Sequence, residues 1–283
     1  MKNAMQLKAL VKNIAKDKKI SAQLVLQNYM LERFLERVAK SPFKDNFIIK
    51  GGFLIASMVG LNARATMDMD ATIKNYPVNE NTIRTMVETI ITINLDDDIE
   101  FKFKGIGEIR EGDVYSGYRV TLTGDYAPMS VPLKLDITTG DKITPREIEF
   151  EYKLMFENRS IQVLAYNLAT ILAEKLETVL SRGDQNTRPR DYYDIFMLYK
   201  LRLDEFDIRD LSMALEATAK KRGSWDVLQH YKDIIKGVKD SSVMHRQWDN
   251  YQNDFDYAKG IEFNDVCETV ILLMNKLVSQ RDG

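Results

Sequence analysis

Residues 47–73 read FIIKGGFLIASMVGLNARATMDMDATI. A short apolar run, Phe47-Ile48-Ile49, leads into Lys50-Gly51-Gly52, and an apolar helical segment, Phe53 to Val59, follows. The polar link Asn62 to Thr66 then opens a second strand that carries Asp68 and Asp70. Side chains alternate faces along a strand. Asp68, Asp70 and Thr72 therefore fall on one face, and Met67, Met69, Ala71 and Ile73 on the other. Two carboxylates held side by side repel each other, and a divalent cation is the usual reason to keep them there. Their hard oxygen atoms suit Mg²⁺.

The rest of the 283-residue chain sets bounds on that reading. A length of 283 residues is enough for one large or two ordinary domains, and 45% hydrophobic with 29% charged residues is a globular profile. A net charge of -2 argues against a generally basic nucleic-acid coat but leaves room for a local basic groove. The single cysteine, Cys267, rules out a disulfide framework and a cysteine-based zinc site, and two histidines, His230 and His245, rule out a histidine-rich one. No apolar run reaches membrane-spanning length, and the first residues are too polar for a signal peptide, so the expected location is cytoplasmic, with no membrane partner.

Outward from residues 47–73, Ser21 is placed to cap a helix running to about Lys40, which Ser41-Pro42 ends. Asn79 to Ile93 reads as an amphipathic helix; Ile99–Lys104 and Tyr118–Thr123 read as strands joined by a glycine-containing connection. In Val131 to Thr138, Val131, Leu133, Leu135 and Ile137 face one way and Lys134, Asp136 and Thr138 the other, with Pro132 marking a strand start or an edge. Glu147 to Phe156 is β-like. Ile161 to Ser181 reads as one long helix closed by Arg182-Gly183, and Pro189 opens the next, to about Leu201. Further helices are expected around 208–221, 225–239, 243–255 and 264–279. The expected fold is α+β: a mixed sheet with helices over residues 1–158, followed by an all-α bundle over 159–283.

Five features carry chemistry, each beside a plainer reading. Gly51-Gly52 lets a phosphate approach backbone N–H groups at a helix N-terminus, or simply makes a tight turn. Asp68 and Asp70 are metal ligands or a surface pair. Asp136 is a third carboxylate on a later strand, or a solvated one; the order of glycine turn, two-acid strand and third acid is the order two-metal phosphoryl chemistry requires. Lys175 falls on the apolar face of Leu168, Ile171, Leu172, Leu176 and Val179, where it either snorkels outward or aims at a triphosphate or carboxylate. In Arg188-Pro189-Arg190-Asp191-Tyr192-Tyr193-Asp194, the two acids share a helix face; Asp191 complements the helix dipole, and Asp194, beside Ile195 and Phe196, calls for a buried partner. Cys267 reads as a small core residue. Lys16 to Lys19 and Lys220-Lys221-Arg222 read as solvated surface or as RNA phosphate contacts.

Taken together, Lys50-Gly51-Gly52, Arg64-x-Thr66-x-Asp68-x-Asp70, Leu133-Lys134-Leu135-Asp136, Glu174-Lys175-Leu176-Glu177-Thr178-Val179-Leu180-x-Arg182 and Arg190-Asp191-x-x-Asp194 resemble the AbiEii/AbiGii toxin family, over roughly residues 20–200. The resemblance implies a DNA polymerase β-like nucleotidyltransferase fold and a toxin of a bacterial toxin–antitoxin, abortive phage-infection system. It implies an enzyme moving NMP from an NTP to RNA, the tRNA 3′ end in related members, with two Mg²⁺ ions. A winged-helix repressor is the implied antitoxin, not necessarily acting by direct binding. Carried over, Asp68, Asp70, Lys175 and Asp191 are catalytic, with Asp136, Asp194 and Arg64 as further candidates. Lys50, Gly51, Gly52 and Ser57 are nucleotide-binding, and Asp68, Asp70 and Asp136 hold metal. One departure stands out: the wider superfamily has Gly-Ser at the turn, and here the second position is Gly52. The serine's phosphate contact then comes from backbone N–H, Ser57 or Lys50, or is missing. Transfer to a protein or small-molecule hydroxyl, and a non-catalytic nucleotide- or RNA-binding module, are the alternatives.

Overall fold

The structure, a computed structural model, describes residues 4–109 and 117–280. They divide into two compact units.

The first unit opens with α1 (Ala4–Lys18) and α2 (Ala22–Lys40). Ser21 caps α2 as expected, its hydroxyl accepting the Leu24 N–H at 3.1 Å. Then follow β1 (Phe47–Lys50), α3 (Gly51–Val59), β2 (Met69–Ile73), α4 (Glu80–Ile91), β3 (Glu100–Ile109), β4 (Gly117–Tyr126), β5 (Met129–Thr139), β6 (Ile148–Lys153) and β7 (Ser160–Ala165). The connection between β3 and β4, residues 110–116, lies outside the described residues. Asn79 and Thr82 cap α4 reciprocally, each side chain bonding the other's backbone N–H. The seven strands form one mixed sheet in the order β3-β4-β5-β2-β1-β7-β6, parallel at β5–β2 and β1–β7 and antiparallel elsewhere. Pro132 fits this topology: it faces Thr123 of β4, while pairing to β2 begins only at Leu135, so on that side β5 is locally an edge.

Helix α2 is buried far beyond the apolar stripe read from the sequence. Glu32, Arg33, Glu36 and Arg37 are all buried, and each is paired, as burying charge requires. Arg37 grips Asp97 through two hydrogen bonds of 2.9 and 2.7 Å and also donates to the Ile99 carbonyl. Arg33 meets Glu32, Glu36 and Glu157, and Arg159 meets Glu36 and Glu157.

Two sequence expectations shift. Residues 161–165 do not begin a helix. Ile161, Val163 and Ala165 are buried while Gln162 is exposed, the period of two that makes β7, parallel to β1 and antiparallel to β6. The sheet thus continues past residue 158. The first unit comprises the chain to Asp141 plus Ile148–Ala165; the second comprises Lys142–Glu147 and the chain from Tyr166. Residues 142–147 belong with the second unit because Asn167 and Thr170 bond the backbone of Thr144 and Arg146.

The second unit is helical: α5 (Leu168–Arg182), α6 (Pro189–Arg202), α7 (Ile208–Arg222), α8 (Trp225–Leu228), α9 (Tyr231–Asp240), α10 (Ser242–Asp254) and α11 (Phe263–Ser279). Asn167 caps α5. The helix expected over 225–239 is two, broken at Gln229-His230. Cys267 is buried, and burial pushes its thiol up to about 12, in keeping with an inert core residue. Among the described residues no helix is long and apolar enough to cross a membrane.

Candidate functional site

The glycine turn and the acidic strand meet at one atom. Gly51 has φ +63°, and a Cβ built on it would lie 2.1 Å from Oδ2 of Asp70. A residue with a side chain is excluded there twice, by the left-handed backbone and by the carboxylate. Gly52 lies under the loop that precedes β2: a Cβ there would meet Thr66 Oγ1 at 3.1 Å and Arg64 Nη2 at 3.2 Å. Arg64 is buried, and its guanidinium also donates to the Ala65 carbonyl. From α2, Asn28 donates to the Thr66 carbonyl at 2.7 Å and Gln27 to the Met67 carbonyl at 2.8 Å. These bonds hold residues 66–67 out of the strand. Hence β2 starts at Met69, Asp68 stands just before it, and Met67 is 43% exposed rather than on the buried face of Met69, Ala71 and Ile73.

Register aligns four charged residues across four strands. Lys50 of β1 faces Asp70 of β2, Asp70 faces Asp136 of β5, and Asp136 faces Arg119 of β4. At about 4.8 Å per strand the row is roughly 14 Å wide. At its far end Arg119 grips Asp136 through two hydrogen bonds of 2.7 Å, one from Nε and one from Nη2. Arg119 is absent from every pattern read in the sequence. Its nearest signal is its place in a β-like run of uncertain register.

Burial holds the Asp68 carboxyl above its ordinary value; Lys134 and Arg119 oppose the shift, and Asp136 and Asp70 add to it. Lys50, expected at a nucleotide, is buried; its amine lies 2.8 Å from Thr138 Oγ1 and pairs with Asp141. Ser57 donates to the Leu54 carbonyl of its own helix at 2.7 Å. Lys50 supplies no side-chain cap to α3, so its side chain leaves the first backbone N–H groups of that helix uncapped.

In the second unit Lys175 does not snorkel outward. Its amine sits 2.5 Å from Asp191 and 2.8 Å from Asp194, both buried carboxylates. Arg188 lies 3.1 Å from Asp191, while Arg182 and Arg190 are exposed. Arg222, read as surface, is exposed and pairs with Glu174 and Glu177, and Ser224 donates to Glu177 at 2.7 Å. Among the described residues no group of three His, Cys, Asp or Glu is arranged to hold a metal ion.

No curated protein matches the chain. Among solved structures, an H. pylori protein described as a nucleotidyltransferase superposes with a TM-score of 0.51 at 17% identity, over 92% of this chain and 99% of that one. JHP933 from Helicobacter pylori gives a TM-score of 0.49 at 18% identity, over 93% and 96%. The first supports a nucleotidyltransferase fold. The model of the nucleotidyl transferase AbiEii toxin family, of type IV toxin–antitoxin systems, matches residues 33–268. That match reaches well beyond residue 200, where the resemblance read from motifs ends. The chain belongs to the AbiEii nucleotidyl transferase toxins, enzymes of the nucleotidyltransferase class whose system pairs toxin with antitoxin.

Proposed function

We propose that the chain arrests growth by transferring NMP from an NTP to an RNA 3′ end, a tRNA acceptor end in the first instance, with Mg²⁺ as cofactor. The observation that carries the reading is the contact of Asp70 with Gly51: a carboxylate set directly against the uncapped start of α3.

The residues present fit a divalent cation. The Asp70 carboxylate fills the space a Cβ would take on Gly51, and burial with neighbouring acids makes the charged form of Asp68 costly. Mg²⁺ is ordinarily bound through one or two carboxylates plus substrate phosphates, not by a complete protein cage. Asp68 and Asp70 would hold it, and when bound it would neutralise phosphate charge. Asp136 has both oxygens on Arg119 and would serve a metal only if released.

The backbone N–H groups that open α3 would receive NTP phosphates, with the helix dipole favouring them. Arg64 beside Gly52 would add positive charge. These groups stand in for the serine that position 52 lacks. In the transfer, the 3′ oxygen bonds to the α-phosphorus, the bond to the β-bridging oxygen breaks, pyrophosphate leaves and the hydroxyl proton passes to solvent. In the second unit, Lys175, Asp191 and Asp194 form a buried charged cluster in which the two carboxylates hold the amine in one place. A winged-helix repressor is the proposed antitoxin.

The test is incubation with each α-labelled NTP, Mg²⁺ and total bacterial RNA, resolved on a gel. Label in tRNA-sized RNA is expected. Label in protein, or in a small molecule, would overturn the acceptor; no label with any NTP and any acceptor would overturn the transfer.

A further inference from the structure

The Arg119–Asp136 pair is a charged feature of the acid face that the proposed reaction leaves unused. Arg119 binds Asp136 side-on, through Nε and Nη2. A guanidinium carries five N–H donors, so this fork consumes two and leaves three on its outer edge. Arg119 remains 43% exposed, and Asp136 is 17% exposed. The pair therefore fixes the guanidinium's plane while its outer edge faces solvent. An exposed opposite-charge pair across two strands contributes only about 0.2–1 kcal/mol, too little to single out this register. Its position does single it out. Asp136 faces Asp70 on the other side, so the guanidinium sits on the acid face about two strand spacings, roughly 10 Å, from the Asp70–Gly51 contact.

The glycine turn and the start of α3 lie at the opposite end of the row, beyond Asp70. If phosphates of the NTP occupy that end, the Arg119 end is left for the molecule whose hydroxyl attacks. We propose that Arg119 is an acceptor-side residue that binds a phosphate near the RNA 3′ terminus, and that Asp136 is the positioning residue that holds it. The inference rests on the RNA-acceptor reading. It gives Asp136 a task that needs no metal: a carboxylate already engaged by both oxygens orients a cation. A planar fork held from one side is suited to a phosphate, which takes two parallel N–H donors.

The experiment measures binding, not turnover. A short 5′-fluorescein-labelled single-stranded RNA with a free 3′-hydroxyl is titrated by anisotropy at several salt concentrations, and each NTP by calorimetry without divalent metal. Arg119→Gln is expected to weaken RNA binding about ten- to a hundred-fold, the loss of a charge-assisted hydrogen bond. The log–log salt slope should shrink by about 0.7, one phosphate contact on a single strand. NTP affinity should not change. Asp136→Asn, which frees the guanidinium without removing it, should cost several-fold with the slope kept, and adding it to Arg119→Gln should cost nothing more. If Arg119→Gln fails to fold, Arg119→Lys carries the test: charge kept and fork lost should cost several-fold at unchanged slope. Wild-type RNA affinity in Arg119→Gln, or in Arg119→Lys where only that variant folds, would overturn the inference while the acceptor reading stood. A wild-type protein that binds no RNA and labels a protein would overturn both.

Discussion

Gly51→Ala tests whether the glycine turn is built for Asp70. The new methyl would sit 2.1 Å from Asp70 Oδ2, 2.7 Å from its Cγ and 2.9 Å from its Cβ, where ordinary contact begins at 3.4 Å. The carboxylate oxygen must therefore retreat by about 1.3 Å (3.4 less 2.1) or the turn must open. Alanine at φ +63° adds about 1–2 kcal/mol of backbone cost, and forcing a methyl into packed space about 1–3 kcal/mol. Chemical denaturation should show a loss of roughly 2–5 kcal/mol. In the folded fraction, a displacement of about 1 Å at a reacting centre costs on the order of a hundred-fold in transfer rate. Gly52→Ala is the control. The nearest atoms to its methyl are Thr66 Oγ1 at 3.1 Å, Arg64 Nη2 at 3.2 Å and Thr66 Cβ at 3.5 Å, tight by a few tenths of an ångström against more than 1 Å at Gly51, and alanine gains up to about 1 kcal/mol in a helix. Its stability should stay within about 1 kcal/mol of wild type. Adding Asp70→Ala should remove the two closest clashes, at 2.1 and 2.7 Å, and leave the Cβ contact at 2.9 Å, a coupling of about 1–3 kcal/mol. The reasoning is refuted if Gly51→Ala is no worse than Gly52→Ala, or if the cycle with Asp70→Ala shows no coupling.

Three further outcomes are expected. Asp68→Ala and Asp70→Ala should abolish growth arrest on induction while melting at or slightly above wild type, since removing one of two mutually repelling carboxylates relieves the apo protein; full toxicity in either would sink its assignment. Lys175→Met removes the amine shared by two buried carboxylates, of which Asp191 keeps Arg188, and should cost about 3–5 kcal/mol at neutral pH, with part of the loss recovered by Asp194→Asn; an unchanged denaturation midpoint would contradict the buried pairing. Glu32, Glu36 and Glu157 gather around Arg33 and Arg159, with Lys40 at 4.0 Å from Glu36, and burial lifts Glu32 from 4.5 to about 7. Because the folded state then holds the proton more tightly, this group's contribution is complete below pH about 4.5 and is lost as pH rises through about 7. At about 1.4 kcal/mol per pKa unit the fall is on the order of 3 kcal/mol. Glu32→Gln should flatten that part of the stability–pH curve, and an identical slope would refute the assignment.

The local rules that made the sheet's centre readable are those that chain-adjacent residues obey. Ser21 and Asn79 cap helices because a side-chain oxygen reaches an N–H three residues on. In β5, Leu133, Leu135 and Ile137 alternate with more exposed residues because one face is covered. Where tertiary contact decides, the same rules misled. Ile161 to Ala165 suits the start of the apolar helix that follows, and only its neighbours β1 and β6 make it a strand. The length of β2 was misjudged because Asn28 and Gln27, forty residues upstream, tie down the carbonyls before it.

The site divides in the same way. Gly51, Asp68 and Asp70 lie within one strand–helix–strand segment, so spacing alone brings the glycine turn and the acid strand into one reading. Lys175 was readable because a cation interrupts an apolar face, and burial then demands carboxylates, which Asp191 and Asp194 supply. Arg119 has no such contradiction in its own strand. It alternates with Tyr118 and Val120 as an ordinary exposed residue, and what sets it apart is the residue opposite. That residue is fixed by the β4–β5 register, in which Tyr126 meets Met129 at the turn and each step back brings the next pair, until Arg119 meets Asp136. A slip of one residue would put Asp136 against Tyr118 or Val120, both buried, and leave its charge without a partner. A slip would also turn Tyr118 and Val120 off their buried face, and that burial pattern pins the register; the register in turn sets Asp136 between Arg119 and Asp70.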